Sequence, residues 1–401
     1  MRRALVVLDQ AVVSACNLIV VLACARVLPP AAFGALAMGI LVNTFAITVS
    51  RGSLGILLAT SADGGLTTHA RRAFLSWLFY ISFAIGLTHW GISRFVESVP
   101  LSAHTPYFIV AASIVPLVLH DNVRYAAHSL GKRPNHITGA NLLWLVATTI
   151  GWSLTFTSMG SATLALLCYA AGNLTALAII MRVSRLRPSL RGLRAISKHV
   201  GELRTLVAQS SLVAAQPLVV SFICIGVLSL RELAGLRGSS TALGPFNVIF
   251  AAVPLLLLPQ MSNARGVHNS RVRLVLSILV ASLISAAGIS YIVPNSVGHF
   301  LLGETWNAAR PVIPVMLLQY AIVAASMWPR LHLLALRKFN STLRASGADI
   351  FIVAGLAGVS ALIIGTAQGV AWGLLLASSA QWLLLSAIWR QERTPATLPR
   401  D

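Results

Sequence analysis

The residues able to do chemistry in this chain are charged side chains lying inside apolar runs. A charge at the centre of a membrane-spanning helix costs about 2.5–3.5 kcal/mol on insertion scales, so such residues mark either function or pairing. Arg51 lies well inside the run 32–59. Its planar fork of N–H donors suits a phosphate or pyrophosphate; the alternative is that it snorkels to the nearer interface. Asp9 and Gln10 lie about two turns into the first run. Asp9 is a candidate for holding a cation or changing protonation, or for pairing with an arginine of a nearby loop. Asn17 follows at helical spacing and extends a polar stripe, facing a cavity or bonding another helix. Asp121 and Arg124 are three apart, on one helical face, flanked by His120 and His128. They form either a static ion pair or one that breaks and reforms. Arg231, Glu232 and Arg237 border a short link and read as headgroup-receiving or simply solvated. Asp349 reads as interfacial. Gln209, Gln216, Asn247, Gln319 and Gln381 add polarity within apolar runs, as glue between helices or as hydrogen-bonding partners for a polar ligand.

Other chemistries find little material. Cys16, Cys24, Cys168 and Cys224 all sit in apolar runs, with no CxxC and no His/Cys metal spacing, so neither a disulfide framework nor a metal site is expected. No GxxxxGK[ST] motif is present, hence no nucleotide hydrolysis and no cofactor is expected. Ten acidic residues, with few on the loops, are thin material for catalysis.

The elements that must position these residues follow from composition. The chain has 401 residues, 57% apolar and 10% charged. Soluble domains carry about 25% charged residues, so a soluble globular protein is excluded. A membrane helix needs about 20 apolar residues, and twelve runs qualify: 4–26, 32–59, 73–93, 106–128, 138–158, 161–182, 204–228, 240–261, 272–293, 308–330, 346–365 and 368–389. The start, Met1-Arg2-Arg3 before an apolar run, imitates a signal peptide, but the run's length and its Asp9, Gln10 and Asn17 favour an uncleaved first helix.

The net charge of +20 tests this layout. With the N-terminus inside, 24 of the 30 basic residues fall on inner segments and 5 on outer ones. Cytoplasmic loops collect Lys and Arg, so the asymmetry predicts twelve spans with both termini cytoplasmic. Spread over so many loops, the basic residues do not form a nucleic-acid surface. The longest and most basic loop, 183–203, divides an N-terminal bundle of six helices (1–182) from a C-terminal one (204–401). It is either a solvated linker or an interfacial segment lying on anionic lipid. The halves also look alike. A shift of 200 positions over residues 7–36 pairs nine identities, among them Val20 with Val220, Cys24 with Cys224 and Leu36 with Leu236. Parallel six-helix repeats are a transporter architecture, with the substrate path between them.

A family resemblance joins these features. Leu8-Asp9-Gln10 with Ser14 and Asn17, Ala25-Arg26-Val27-Leu28 and Phe33-Gly34 look like the first helix, the turn and the second-helix start of the polysaccharide-exporter, O-antigen-flippase-like branch of the multidrug/oligosaccharidyl-lipid/polysaccharide (MOP) flippase superfamily. Asp121, Arg124 and Tyr125 before Gly131-Lys132-Arg133-Pro134 look like its fourth-helix end. Leu243-Gly244-Pro245-Phe246-Asn247 with Pro259 resembles its eighth helix, and Leu301-Leu302-Gly303-Glu304-Thr305-Trp306 the loop before its tenth. The resemblance implies an all-α integral membrane protein, two six-helix bundles around a central cavity. It implies a flippase that moves a lipid-linked oligosaccharide, on a prenyl phosphate or pyrophosphate, across a bacterial cytoplasmic membrane by alternating access. Such a protein would work as a monomer. Arg51, Arg26, Arg124, Arg231, Asn17 and Asn247 are then headgroup candidates, and Asp9 and Asp121 candidates for cation coupling. Arg26 also reads as an interfacial anchor. The alternatives are a multidrug or cation antiporter of the same superfamily and a membrane glycan ligase or polymerase. Arg outnumbers Lys 27 to 3, a bias of high-GC bacteria.

Overall fold

The computed structural model describes residues 2–51, 101–129, 133–157, 160–185, 200–247, 249–250, 253, 269–336 and 338–393. Among them are helices and connecting turns, with no strand. The expected third span (73–93) and most of the 183–203 segment lie outside the described residues.

Helix α1 (Arg2–Val27) leads through Leu28-Pro29 into α2 (Pro30–Ser50), which Pro30 starts at its first position. The next helices are α3 (Leu101–Ser129), α4 (Pro134–Leu154) and α5 (Ala162–Ser184). Arg133, with φ 34°, turns the chain into α4, and the Ser161 hydroxyl accepts the Leu164 N–H to cap α5. Helix α6 (Val200–Ile223) carries Pro217 and runs into a π-helical turn, Cys224–Leu228. A single extended residue, Ser229, then opens α7 (Leu230–Ala242). Beyond lie α8 (Asn269–Ser290), two short helices α9 (Asn295–Leu302) and α10 (Thr305–Ala309), α11 (Ile313–Ala335), α12 (Phe339–Ile364) and α13 (Ala367–Arg393). Nine helices among the described residues are long and apolar enough to cross a membrane.

One element departs from its expected place. The eighth span was read from residue 240, with 229–239 as a loop; α7 instead begins at Leu230 and ends at Ala242. Two of the three charges that made this stretch look like a loop have partners, the Glu232 carboxylate on the Ala367 N–H and Arg237 on α6, while Arg231 is exposed. Ser229 Oγ caps the Glu232 N–H, and Arg237 reaches back to α6. The segment before α11 also holds two short helices where no element was expected.

The correspondence between the halves extends to elements. Shifted by 200, α1 overlies α6 with its π-turn, and α2 and α7 start at Pro30 and Leu230. Cys24 and Cys224 are both fully buried, as is Leu36, with Leu236 nearly so. Helix α1 packs on α4, α4 on α5, and α3 on both α2 and α5; α12 packs on α13 and α6, and α11 on α13 and α8. The two sets meet where α2 crosses α6 and α7 and where α1 meets α9. At the α2–α7 crossing a side chain on Gly34 would run into the Leu230 carbonyl oxygen. Outward faces are apolar, with Leu143, Val146 and Ile150 of α4 and Phe351, Leu362 and Ile363 of α12 all exposed. That inversion suits a lipid solvent, which leaves helix association to packing and hydrogen bonds.

Candidate functional site

Four helix ends bring the first-half charges together. The start of α1 supplies Asp9 and Gln10, the end of α2 Arg51, the last third of α3 His120, Asp121, Arg124 and His128, and the start of α4 Asn141. Arg124 is 4% exposed and bonds Asp9 Oδ2 at 2.8 Å, Asp121 Oδ1 at 2.7 Å and Gln10 Oε1 at 3.0 Å. Arg51 grips Asp121 with two donors, Nε to Oδ2 at 3.1 Å and a terminal nitrogen to Oδ1 at 2.6 Å. Asp9, with no exposed surface, also accepts from Asn141 Nδ2 at 2.6 Å and His128 Nε2 at 3.0 Å. Because Asn141 donates to Asp9, its oxygen accepts, and the His120 Nε2–H fills that role at 2.9 Å. Two arginines and two aspartates thus balance, with most polar atoms engaged. Only Arg51, 34% exposed, offers an open face.

The structure therefore gives the Asp121–Arg124 pair as part of a four-charge cluster joining α1, α2 and α3. Arg124, expected near a headgroup, is closed off by its carboxylates. Asn17 lies on an exposed position of α1, where its oxygen accepts the Tyr169 hydroxyl at 2.6 Å.

Arg26 stands at the opposite end of α1 from Asp9. Its guanidinium lies 4.0 Å from the Phe156 ring centre and 5.4 Å from that of Phe300, and it donates to the Phe300 carbonyl. Phe156 follows α4, and Phe300 belongs to α9 in the second half. Beside it Gly303, at φ 56°, is pressed against the Arg26 backbone so closely that a Cβ would come within 2.6 Å of its carbonyl oxygen.

The second half holds two further polar centres. Arg237 is half-buried on α7 and donates to the Pro217 carbonyl at 2.8 Å and the Ser221 hydroxyl at 2.6 Å. The Ser221 hydroxyl in turn donates to the same Pro217 carbonyl at 2.6 Å, so that oxygen takes both donors. The Tyr320 hydroxyl lies near this guanidinium and is bonded by Asn247. Among the described residues each hydrogen-bond partner of Arg237 is neutral, and its Nε is buried without an acceptor. Arg231, by contrast, is exposed at the start of α7. The other centre is Asp349, which lies ten residues into α12 and is 3% exposed. It accepts from Gln216 of α6 and, at 2.5 Å, from Gln381 of α13.

Sequence reasoning missed Asn141, His128's bond to Asp9, and the inward placement of Arg237. No group of three or more His, Cys, Asp or Glu with metal-holding geometry occurs among the described residues.

No protein-family model and no curated protein matches the chain. Solved structures do. An inward-facing multidrug resistance MATE family transporter of the MOP superfamily superposes with a TM-score of 0.72 at 12% identity, covering 94% of each chain. The lipid II flippase MurJ, in an inward closed conformation, gives 0.70 at 14% identity over 96% of this chain and 86% of that one. A MOP superfamily transporter from Pyrococcus furiosus gives 0.65 at 13% identity over 98% and 95%. The chain thus has the fold of MOP-superfamily transporters. At such identities the fold alone is shared, and function must be argued from the site.

Proposed function

We propose that this protein is a membrane flippase. It carries a lipid-linked oligosaccharide or related glycolipid, on a prenyl phosphate or pyrophosphate, across a bacterial cytoplasmic membrane. Twelve spans form an N-terminal bundle (1–182) and a C-terminal bundle (204–401), joined by the basic 183–203 segment, with both termini in the cytoplasm. The bundles rock about the α2–α7 and α1–α9 contacts while the prenyl tail stays in lipid. No chemical step is involved, and the chain works as a monomer. The observation that carries the reading is Arg237: a half-buried cation whose guanidinium, among the described residues, meets only neutral oxygens and leaves Nε unmet. An anion is the partner such a fork lacks. Arg51 adds a second cation with an open face.

A multidrug or cation antiporter is the second reading, and Asp349 favours it, as a buried carboxylate held by two glutamine amides. Deletion of the gene, with complementation by wild type, Arg51→Ala or Arg237→Ala, separates the two. The flippase reading expects lipid-linked intermediates to accumulate inside the cell on deletion and both variants to clear them poorly. It is lost if surface-glycan export and the intermediate pool are unchanged by deletion.

A further inference from the structure

We propose that the protein carries a binding site for an anionic phospholipid on its lipid-facing surface, where Arg273 of α8 lies over Trp328 of α11, and that the bound lipid ties α8 to the second half. The site uses neither Arg51 nor Arg237 and does not depend on what is transported.

Arg273 is exposed on the second turn of α8, and its guanidinium lies 5.0 Å from the centre of the Trp328 ring. Attraction to a ring face occupies none of an arginine's N–H groups, and among the described residues no carboxylate or carbonyl takes those of Arg273. Glu392, an acid at the same end of the second half, is engaged by Lys338 at 2.8 Å and by Ser341 at 2.9 Å. The planar fork of Arg273 is thus positioned by the indole while its donors stay open, an arrangement that suits two oxygens of a phosphate.

The platform under the cation is braced from two further directions. The His332 Nδ1–H donates to the Trp328 carbonyl at 3.1 Å, and the imidazole lies 4.3 Å from the Trp328 ring and 5.5 Å from that of Trp389 on α13. Trp328 also packs against the buried Val272, Leu276 and Leu331. Arg273 and Trp328 stand one to two turns from the ends of their helices. Tryptophan at that depth marks the level of the lipid headgroups.

From Arg273 toward the middle of α8 the surface becomes apolar and shallow. Ser277, Ala281 and Ile284 follow at i+4, i+8 and i+11, on one face of the helix, and all three are exposed. The two small side chains leave room for an acyl chain to lie close to the helix below a phosphate held by the fork. A fitting ligand therefore joins an anion to hydrocarbon at the interface, which is the chemistry of a phospholipid with a net negative headgroup. Helix α8 packs chiefly on α11, and Leu274, Val275 and Ile278 leave much of its remaining surface bare. A lipid seated at the α8–α11 crossing touches both helices, so its binding adds to the stability of that contact.

Thermal unfolding of the detergent-purified protein, in mixed micelles of rising phosphatidylglycerol or phosphatidylcholine content, reads occupancy. Phosphatidylglycerol should raise the midpoint saturably, and phosphatidylcholine with the same chains should not. Arg273→Gln should need about tenfold more phosphatidylglycerol for the same rise, the usual weight of a hydrogen bond to a charged group. Arg273→Lys, which keeps the charge without the fork, should fall between. Arg182→Gln, on an exposed position of α5, should behave as the wild type. Equal losses in Arg182→Gln and Arg273→Gln would reduce the effect to general surface attraction and overturn the site. A rise as large with inorganic phosphate alone would overturn its lipid nature. Chain-brominated lipids give a reading independent of stability. The fluorescence of Trp328, taken as the difference between wild type and Trp328→Phe, should be quenched at lower content of brominated phosphatidylglycerol than of brominated phosphatidylcholine. Equal quenching by the two lipids also overturns the proposal.

Discussion

At the scale of single residues, the first-half cluster shows what charge in an apolar run reveals and what it hides. Asp9, Arg51, Asp121 and Arg124 stand out in the sequence because each is costly in hydrocarbon. The Asp121–Arg124 pair is legible from its spacing of three, but the bonds of Arg124 to Asp9 and of Arg51 to Asp121 are not, because they join positions 115 and 70 apart. Asn141 was invisible for another reason. It is neutral and could sit anywhere, yet its Nδ2 meets Asp9 Oδ1 at 2.6 Å and its oxygen takes the His120 N–H. Arg237 misled because three charges close to a helix end look like a loop. The pairing has a consequence for stability. Arg124→Gln would leave Asp9 and Asp121 buried with Arg51, on Asp121, as the one remaining arginine of the cluster. Removing one partner of a buried ion pair costs about 3–5 kcal/mol. Thermal unfolding in detergent should show a loss of that order, while Arg182→Gln, on an exposed position of α5, should change little. Equal midpoints for the two variants would show that the cluster does not hold α1 to α3.

At the scale of elements, apolar length placed most helices to within a few residues, because crossing hydrocarbon sets their length whatever the side chains do. It failed where hydropathy was interrupted. Helix α7 begins about ten residues before the expected eighth span, and its start is fixed by local chemistry. Ser229, extended at φ −163°, caps the Glu232 N–H at 3.2 Å. Glu232 then turns its carboxylate to the backbone N–H of Ala367, at 2.6 Å, in the first turn of α13. An acid among the unpaired N–H groups of a helix start is well placed for both hydrogen bond and dipole. A residue that reads as a solvated loop charge is therefore a clip between α7 and α13. Glu232→Ala should cost about 0.5–2 kcal/mol, the usual range for losing a helix-start cap, and should raise hydrogen exchange at Ala367. Unchanged exchange there would remove the clip.

At the scale of the whole molecule, the shift of 200 that pairs nine identities also pairs α1 with α6 and the start of α2 with that of α7. The scattered apolar matches thus fall on corresponding elements, and some, such as Cys24 and Cys224, on positions buried in both. What the repeat does not tell is how the halves are joined, since those contacts are unique to each. Arg26 supplies one of them. It stacks on Phe156 of the first half and Phe300 of the second, and donates to the Phe300 carbonyl. Trp152 completes the aromatic group at 5.2 Å from Phe156 and 6.3 Å from Phe300. If the halves rock, this clasp holds one end of the path shut and must part when that end opens. Phe156 and Phe300 are both exposed, and a cation–π contact at such a site contributes about 0.5–1 kcal/mol, enough to shift a two-state balance about two- to fivefold. Cys24, fully buried two residues before Arg26, reports on that end. In a protein keeping Cys24 as its sole cysteine, Arg26→Ala should speed labelling by a membrane-impermeant maleimide by roughly that factor. Arg26→Lys, which keeps the charge but lacks the stacking plane, should fall between. If Arg26→Ala labels no faster than its parent, Arg26 does not gate the path, and its role returns to that of an anchor for α1.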